Sequence, residues 1–173
     1  MSIDATVVVR LVDSLRRVTH PPSEAEVVEI LDRMGWARRR DDSFPQGYFF
    51  QREGLAAAVN SQDHVAFVTF NAIIEVGFDP DYSKSTAVLD ELAGEVIQGV
   101  YALSGRELED PGEEYDESAM DYIESYYRRL GPWVLSMGLV QLDNDDPIRV
   151  VLRMRYWEDL AKDYGSDEGD PSR

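Results

Sequence analysis

The sequence predicts one α+β domain with a mainly antiparallel sheet of about 5–7 strands, packed by helices on one face. Three observations predict it. Apolar residues recur at helical spacing in four segments. Short β-branched and aromatic runs, separated by turn residues, fill residues 36–78. A closing segment alternates with period two. At 173 residues and 43% hydrophobic, the chain is long enough to bury a core without staples. No repeat or linker divides it, so the expected bounds are 1–164 for the domain and 165–173 for a disordered acidic tail.

Ile3, Val7, Val8, Leu11, Val12, Leu15 and Val18 place an amphipathic helix over residues 4–18. His20-Pro21-Pro22 stops it, because proline lacks an N–H and pushes its predecessor to extended geometry. Ser23-Glu-Ala-Glu26 is a capping box, in which the hydroxyl takes an orphan amide and Glu26 reaches back. The second helix follows with Val27, Ile30, Leu31 and Met34 as its stripe, and ends at Gly35. Trp36–Arg40 is expected as a short strand, and Tyr48–Gln51 with Leu55–Val59 as a hairpin across Arg52-Glu53-Gly54. Val65–Phe70 lacks clean alternation, which implies partial cover on both faces. Residues 71–78 extend that strand or begin another, giving a meander of three to five antiparallel strands.

Val88, Leu92, Val96, Val100 and Leu103 mark a helix over 85–104, capped by Gly105. Gly94 and Gly99 inside it imply close approach to a neighbour. Ser118 is expected to open a shorter helix carrying Met120, Ile123, Tyr126, Tyr127 and Leu130, stopped by Gly131-Pro132. Asp116, Glu117 and Asp121 would suit the dipole at its start. A hairpin closes the domain. Its return strand sets Ile148, Val150, Leu152, Met154 and Tyr156 on one face and Arg149, Val151, Arg153 and Arg155 on the other. Trp157–Tyr164 is expected as a terminal helical turn.

Charge is concentrated. The net value is −17, of which −8 falls on 107–121 and −4 on 158–173. Such a chain repels nucleic-acid backbones and anionic membranes and attracts basic proteins, although acidity also serves solubility alone. Cysteine is absent, which excludes disulfides, thiolate metal sites and a cysteine nucleophile, and fits a reducing cytoplasm. No apolar run nears the roughly 18–20 residues of a membrane helix, and no signal peptide is visible. Of 17 basic residues 15 are arginine, a habit of GC-rich bacterial genomes.

Catalytic chemistry finds little footing. His20 and His64 are the only imidazoles, one wedged before two prolines and one opening a strand. Neither H-E-x-x-H, G-x-S-x-G nor a phosphate loop occurs. Asp143-Asn-Asp-Asp146 lacks the glycine and final glutamate of a calcium loop, and Asp79 and Asp81 read as helix caps. No catalytic residue, metal or cofactor is therefore assigned, while a carboxylate pair distant in sequence stays open.

The partner-binding candidates are Glu107, Glu109, Asp110, Glu113, Glu114, Tyr115 and Tyr122. Carboxylates steer a basic partner and tyrosines add contact area, with core packing as the competing role of the aromatics. Arg149, Arg153 and Arg155 either bridge to acids of a neighbouring element or form an anion-binding surface. Arg38-Arg39-Arg40 would join them if its strand lies adjacent.

The order helix, Met34-Gly35-Trp36, short strands, long helix, acidic loop, helix, hairpin resembles small actinobacterial proteins, immunity proteins of bacterial toxin systems, and secretion-chaperone-like α+β proteins over residues 23–157. That resemblance implies a non-catalytic, acidic, cytoplasmic protein binding a basic toxin or secreted effector, often as a homodimer, with no nucleic acid or membrane. The alternative is an enzyme or small-anion-binding protein using the Arg149, Arg153 and Arg155 face.

Overall fold

The computed structural model describes residues 4–40, 47–62, 64–74, 76, 79–112, 121–143 and 146–156. Asp4 starts the first helix, α1 (Ala5–Leu15), by accepting the Thr6 amide at 2.9 Å. The predicted capping box opens α2 (Glu24–Arg33): Ser23 Oγ accepts the Glu26 amide, and Glu26 accepts the Ser23 amide at 2.8 Å. Four strands follow, β1 (Ala37–Arg39), β2 (Tyr48–Arg52), β3 (Leu55–Gln62) and β4 (Val65–Ile73). The β2–β3 hairpin turns on Glu53 and Gly54, both at positive φ, as its tight turn requires. Helix α3 (Ser83–Ser104) then crosses to a second meander of β5 (Glu124–Leu130), β6 (Trp133–Val140) and β7 (Arg149–Tyr156).

Among the described residues seven strands form one sheet in the order β1-β2-β3-β4-β7-β6-β5, and each neighbouring pair is antiparallel. The two meanders join where β4 pairs with β7, Val68 opposite Met154 and Phe70 opposite Leu152. Alternate residues of β2, β3, β4, β6 and β7 build one core with the helices, while all three residues of β1 are exposed. Phe50, Val68, Phe70, Leu135, Met137 and Leu152 meet Leu11, Leu15, Leu31, Leu89 and Val96 there. Each such side chain contributes about 1.5–3 kcal/mol by leaving water. Along β4 buried and half-buried residues alternate, so its second face is partly covered, as its composition predicts.

Two long polar bonds tie the α1–α2 linker to the sheet. Trp133 Nε1 donates to the Val18 carbonyl and the Tyr156 hydroxyl to that of Thr19, each at 2.9 Å. α1 ends at Leu15, short of the expected 4–18, and the linker between it and the prolines delivers backbone carbonyls to β6 and β7.

At the start of α3, Asp79 is buried and does the capping that the residue beside the helix, Tyr82, does not. Its carboxylate accepts the Lys84 amide at 3.1 Å, the Ser85 amide at 2.8 Å and the Ser85 hydroxyl at 2.7 Å. Burial pushes this carboxyl up, but the Ser85 and Lys84 donors outweigh it and hold the group below the ordinary carboxylate range. At the other end the chain turns through Gly105 at φ +64°, a left-handed cap that glycine adopts without cost.

One predicted element changes type. The expected helix carrying Ile123, Tyr126, Tyr127 and Leu130 is instead strand β5 over 124–130, and residues 118–120 lie outside the described residues. The i, i+3, i+4, i+7 spacing of those four residues fits a helix, but the β-branched and aromatic content fits an edge strand equally. Gly131 at φ +60° and Pro132 form a two-residue turn that presents Leu130 to Trp133 and sets the β5–β6 register. Asp121 therefore starts no helix, which removes the dipole explanation for its charge. Asp116, Glu117 and Trp157–Tyr164 lie outside the described residues, as does 165–173.

Candidate functional site

Glycine at 105 turns the chain out of α3, and Leu108, half-buried against the core, pulls it back. Glu109 then pairs with the free edge of β5: its amide donates to the Arg129 carbonyl at 2.8 Å and its carbonyl accepts the Arg129 amide at 2.6 Å. An edge strand has unpaired backbone groups, and this reciprocal pair satisfies two of them. Residues 106–112 are thereby anchored by backbone and by one leucine, leaving the acidic side chains outside. Glu107, Glu109 and Asp110 are all exposed. Among the described residues Asp110 accepts the Gly112 amide, at 2.8 Å, an Asx turn that shapes the Pro111-Gly112 corner.

Among the described residues none of these three carboxylates pairs with Arg149, Arg153 or Arg155. The topology explains why. Glu109 lies three strand spacings from β7, about 14 Å, beyond the combined reach of a glutamate and an arginine. Glu113, Glu114 and Tyr115 lie outside the described residues.

Tyr122, the seventh candidate, belongs to the sheet face away from the helices. Its ring lies on Gly138 of β6, where a Cβ would collide with it. Its hydroxyl is 3.3 Å from Ser136 Oγ, and its ring meets Tyr127 edge-on at 6.4 Å. Tyr126 and Trp133 point the other way, into the helix layer, where the Tyr126 hydroxyl donates to Asp90 at 2.5 Å. That bond to a carboxylate raises the phenol above its ordinary value. The described tyrosines near the acidic segment, Tyr122, Tyr126 and Tyr127, thus divide between two faces.

The arginines share the face of Tyr122. Arg153 and Arg155 both lie over the ring of Phe67 in β4, their guanidinium carbons 5.3 and 5.2 Å from the ring centre. Arg155 donates to Gln62 at 2.7 Å and Arg153 to Thr69 at 3.3 Å. Arg149 lies on the same face between Ile73 and Val140. The Arg38–Arg40 segment does not join them. β1 sits at the opposite edge, four strand spacings or about 19 Å from β7, and Arg38 is engaged by Asp32 of α2.

His20 forms a surface pair with Glu26 at 2.8 Å, and His64 sits in the β3–β4 turn at positive φ. Among the described residues no group of three His, Asp or Glu side chains is placed to hold a metal ion, and no helix is long and apolar enough to cross a membrane. Asp143 and Asp146 form a backbone turn, the Asp146 amide donating to the Asp143 carbonyl at 2.9 Å.

Sequence reasoning missed a second acidic feature. Glu91 and Glu95 are both exposed on α3, one turn apart, within the apolar stripe from Val88 to Leu103. The signal was present as a like-charge i, i+4 pair, which destabilises an isolated helix. No family model matches this chain, and no curated protein or solved structure does so.

Proposed function

We propose that this chain is a non-catalytic, acidic, cytoplasmic protein-binding protein of immunity- or chaperone-like type, and that it engages a basic protein through the carboxylates following α3. The observation that carries this reading is the mounting of residues 107–110. Backbone bonds to β5 and the half-buried Leu108 fix the segment, while Glu107, Glu109 and Asp110 face solvent. A fixed array of like charges costs free energy in the isolated protein and returns it when a cationic surface approaches. The order of helix, strands, helix, strands supports the chaperone-like part of the reading.

Capture from the native lysate at low and high salt tests it, using wild type and the E107Q/E109Q/D110Q variant. Salt-sensitive capture of one basic protein by wild type, lost in the variant, is the expected result. Equal capture by both would make the reading wrong.

A second reading rests on the two guanidiniums gathered over Phe67: Arg153 and Arg155, with Arg149, form an anion-binding surface. It predicts that citrate or inorganic phosphate raises the melting temperature at constant ionic strength, and that R153K/R155K abolishes the rise because lysine lacks the planar fork.

A further inference from the structure

Helices α1 and α3 come into close contact at Val9 and Gly99. Between them lies an open groove of about 1050 Å³. Its walls are Val9 of α1 and Val88, Leu92 and Leu103 of α3, and its floor is Ile74 and Val76 beyond β4. Leu103 is 55% exposed at one end, large for a leucine. From Val88 to Leu103 the wall runs fifteen residues, roughly 22 Å at the helical rise. That length matches about four turns of a second helix.

The charges around this apolar trough are unequal. Asp4, Glu91 and Glu95 line it against Arg10 alone. Glu91 and Glu95 have no hydrogen bond or ion pair among the described residues, and they repel each other across one turn.

We infer that the α1–α3 groove is the docking site for an amphipathic helix of the basic partner, its apolar stripe on Val88 and Leu103 and its Lys or Arg flank against Glu91 and Glu95. Helix-in-groove recognition uses anchors at i, i+3, i+4 and i+7, which a trough of this length accommodates. Charge complementarity selects the occupant. An anionic amphiphile would meet the glutamates. A second copy of this chain has no suitable helix among those described, since α1 itself lines the groove, α2 carries Glu24, Glu26, Glu29 and Asp32 against Arg33 alone, and α3 carries only one lysine against three acids.

This inference rests on the reading of a basic protein partner, and its test separates the two. The probe is an 18-residue synthetic peptide with leucines at i, i+3, i+4 and i+7 flanked by lysines, compared with its glutamate counterpart. Fluorescence anisotropy measures binding to the full chain, to E91K/E95K, to E107K/E109K/D110K, and to E24K/E29K as a charge control on α2. Circular dichroism confirms that each variant melts as wild type does.

The expected result is binding of the lysine peptide only, weakened at least tenfold in E91K/E95K and less than threefold in E24K/E29K. If E107K/E109K/D110K also weakens binding, both the groove and the 107–110 reading stand. If only E91K/E95K weakens it, the groove stands without residues 107–110. Loss only in E107K/E109K/D110K, equal loss in the α2 control, or no binding by wild type overturns the groove inference. In each of those cases the lysate experiment still judges the wider reading. A wild-type dimer that E91K/E95K dissociates would show a second copy in the groove, and would overturn it too.

Discussion

Gly99 of α3 lies directly against Val9 of α1: a Cβ at position 99 would stand 2.6 Å from Val9 Cγ2 and 3.1 Å from Cγ1. That contact fixes where the two helices touch and where the groove beside them opens. Gly94, five residues earlier, has nothing within 4 Å of the same added atom, so only one of the two helix glycines marks a close approach.

The two positions therefore respond oppositely to alanine. Gly94→Ala gains about 0.5–1 kcal/mol from helix propensity alone. Gly99→Ala gains the same propensity but overpacks against Val9, and falls below Gly94→Ala by about 1–3 kcal/mol. Urea unfolding of both variants measures the difference. In the Val9→Ala/Gly99→Ala double variant the clash disappears, so its loss is smaller than the sum of the singles.

The two described tryptophans, both buried, separate similarly. Trp133 Nε1 donates to the Val18 carbonyl, whereas Trp36 Nε1 is buried without an acceptor. Trp133→Phe leaves the Val18 carbonyl without its donor, a penalty of about 1–3 kcal/mol beyond the lost packing. Trp36→Phe carries no such term and even removes an unsatisfied donor. Chemical denaturation is expected to show the larger loss for Trp133→Phe.

Acid stability follows from the capping carboxylates. Hydrogen bonds from the Ser23 amide, then from His20 and the Ser23 hydroxyl, lower Glu26, and the Ser85 and Lys84 donors lower Asp79 against the effect of its burial. A group depressed in the folded state contributes stability above its unfolded value and loses it as pH falls through the folded value. The melting temperature should accordingly drop as pH falls below about 4. Asp79→Ala is expected to melt roughly 2–6 °C lower at neutral pH and to show a shallower acid decline. An acid limb unchanged by the substitution would refute the role given to Asp79.

Much of the fold was legible because local chemistry and tertiary demand agreed. The Ser23–Glu26 box, the Arg52-Glu53-Gly54 turn and the alternation from Ile148 to Tyr156 all stand where their patterns place them. β5 was not legible. It is an edge strand with only Leu130 fully buried, so alternation along 124–130 is weak, and the adjacent Arg128 and Arg129 blur it further. The candidate site was legible as charge but not as geometry. Nothing local reveals that Glu109 would pair with Arg129, twenty residues later, or that Arg153 and Arg155 would share Phe67 across a strand. Such relations depend on strand order, which composition does not encode.

The Glu109–Arg129 pair also separates anchoring from charge. Glu109→Pro removes the amide that donates to Arg129, whereas Glu109→Gln keeps it and removes the charge. Partner affinity should fall in both. Protection of the Arg129 amide from hydrogen exchange should fall only in the proline variant, because only there is the segment released from β5.

Ionic strength tests the central claim most directly. The affinity of the captured basic protein is measured by titration calorimetry from 50 to 500 mM salt, for wild type and for E107Q/E109Q/D110Q. The expected result is affinity that falls steeply with salt for wild type, about tenfold or more over this range, and a clearly shallower dependence for the variant. Superimposable salt dependences, or a wild-type affinity indifferent to salt, would contradict a role for residues 107–110 in binding.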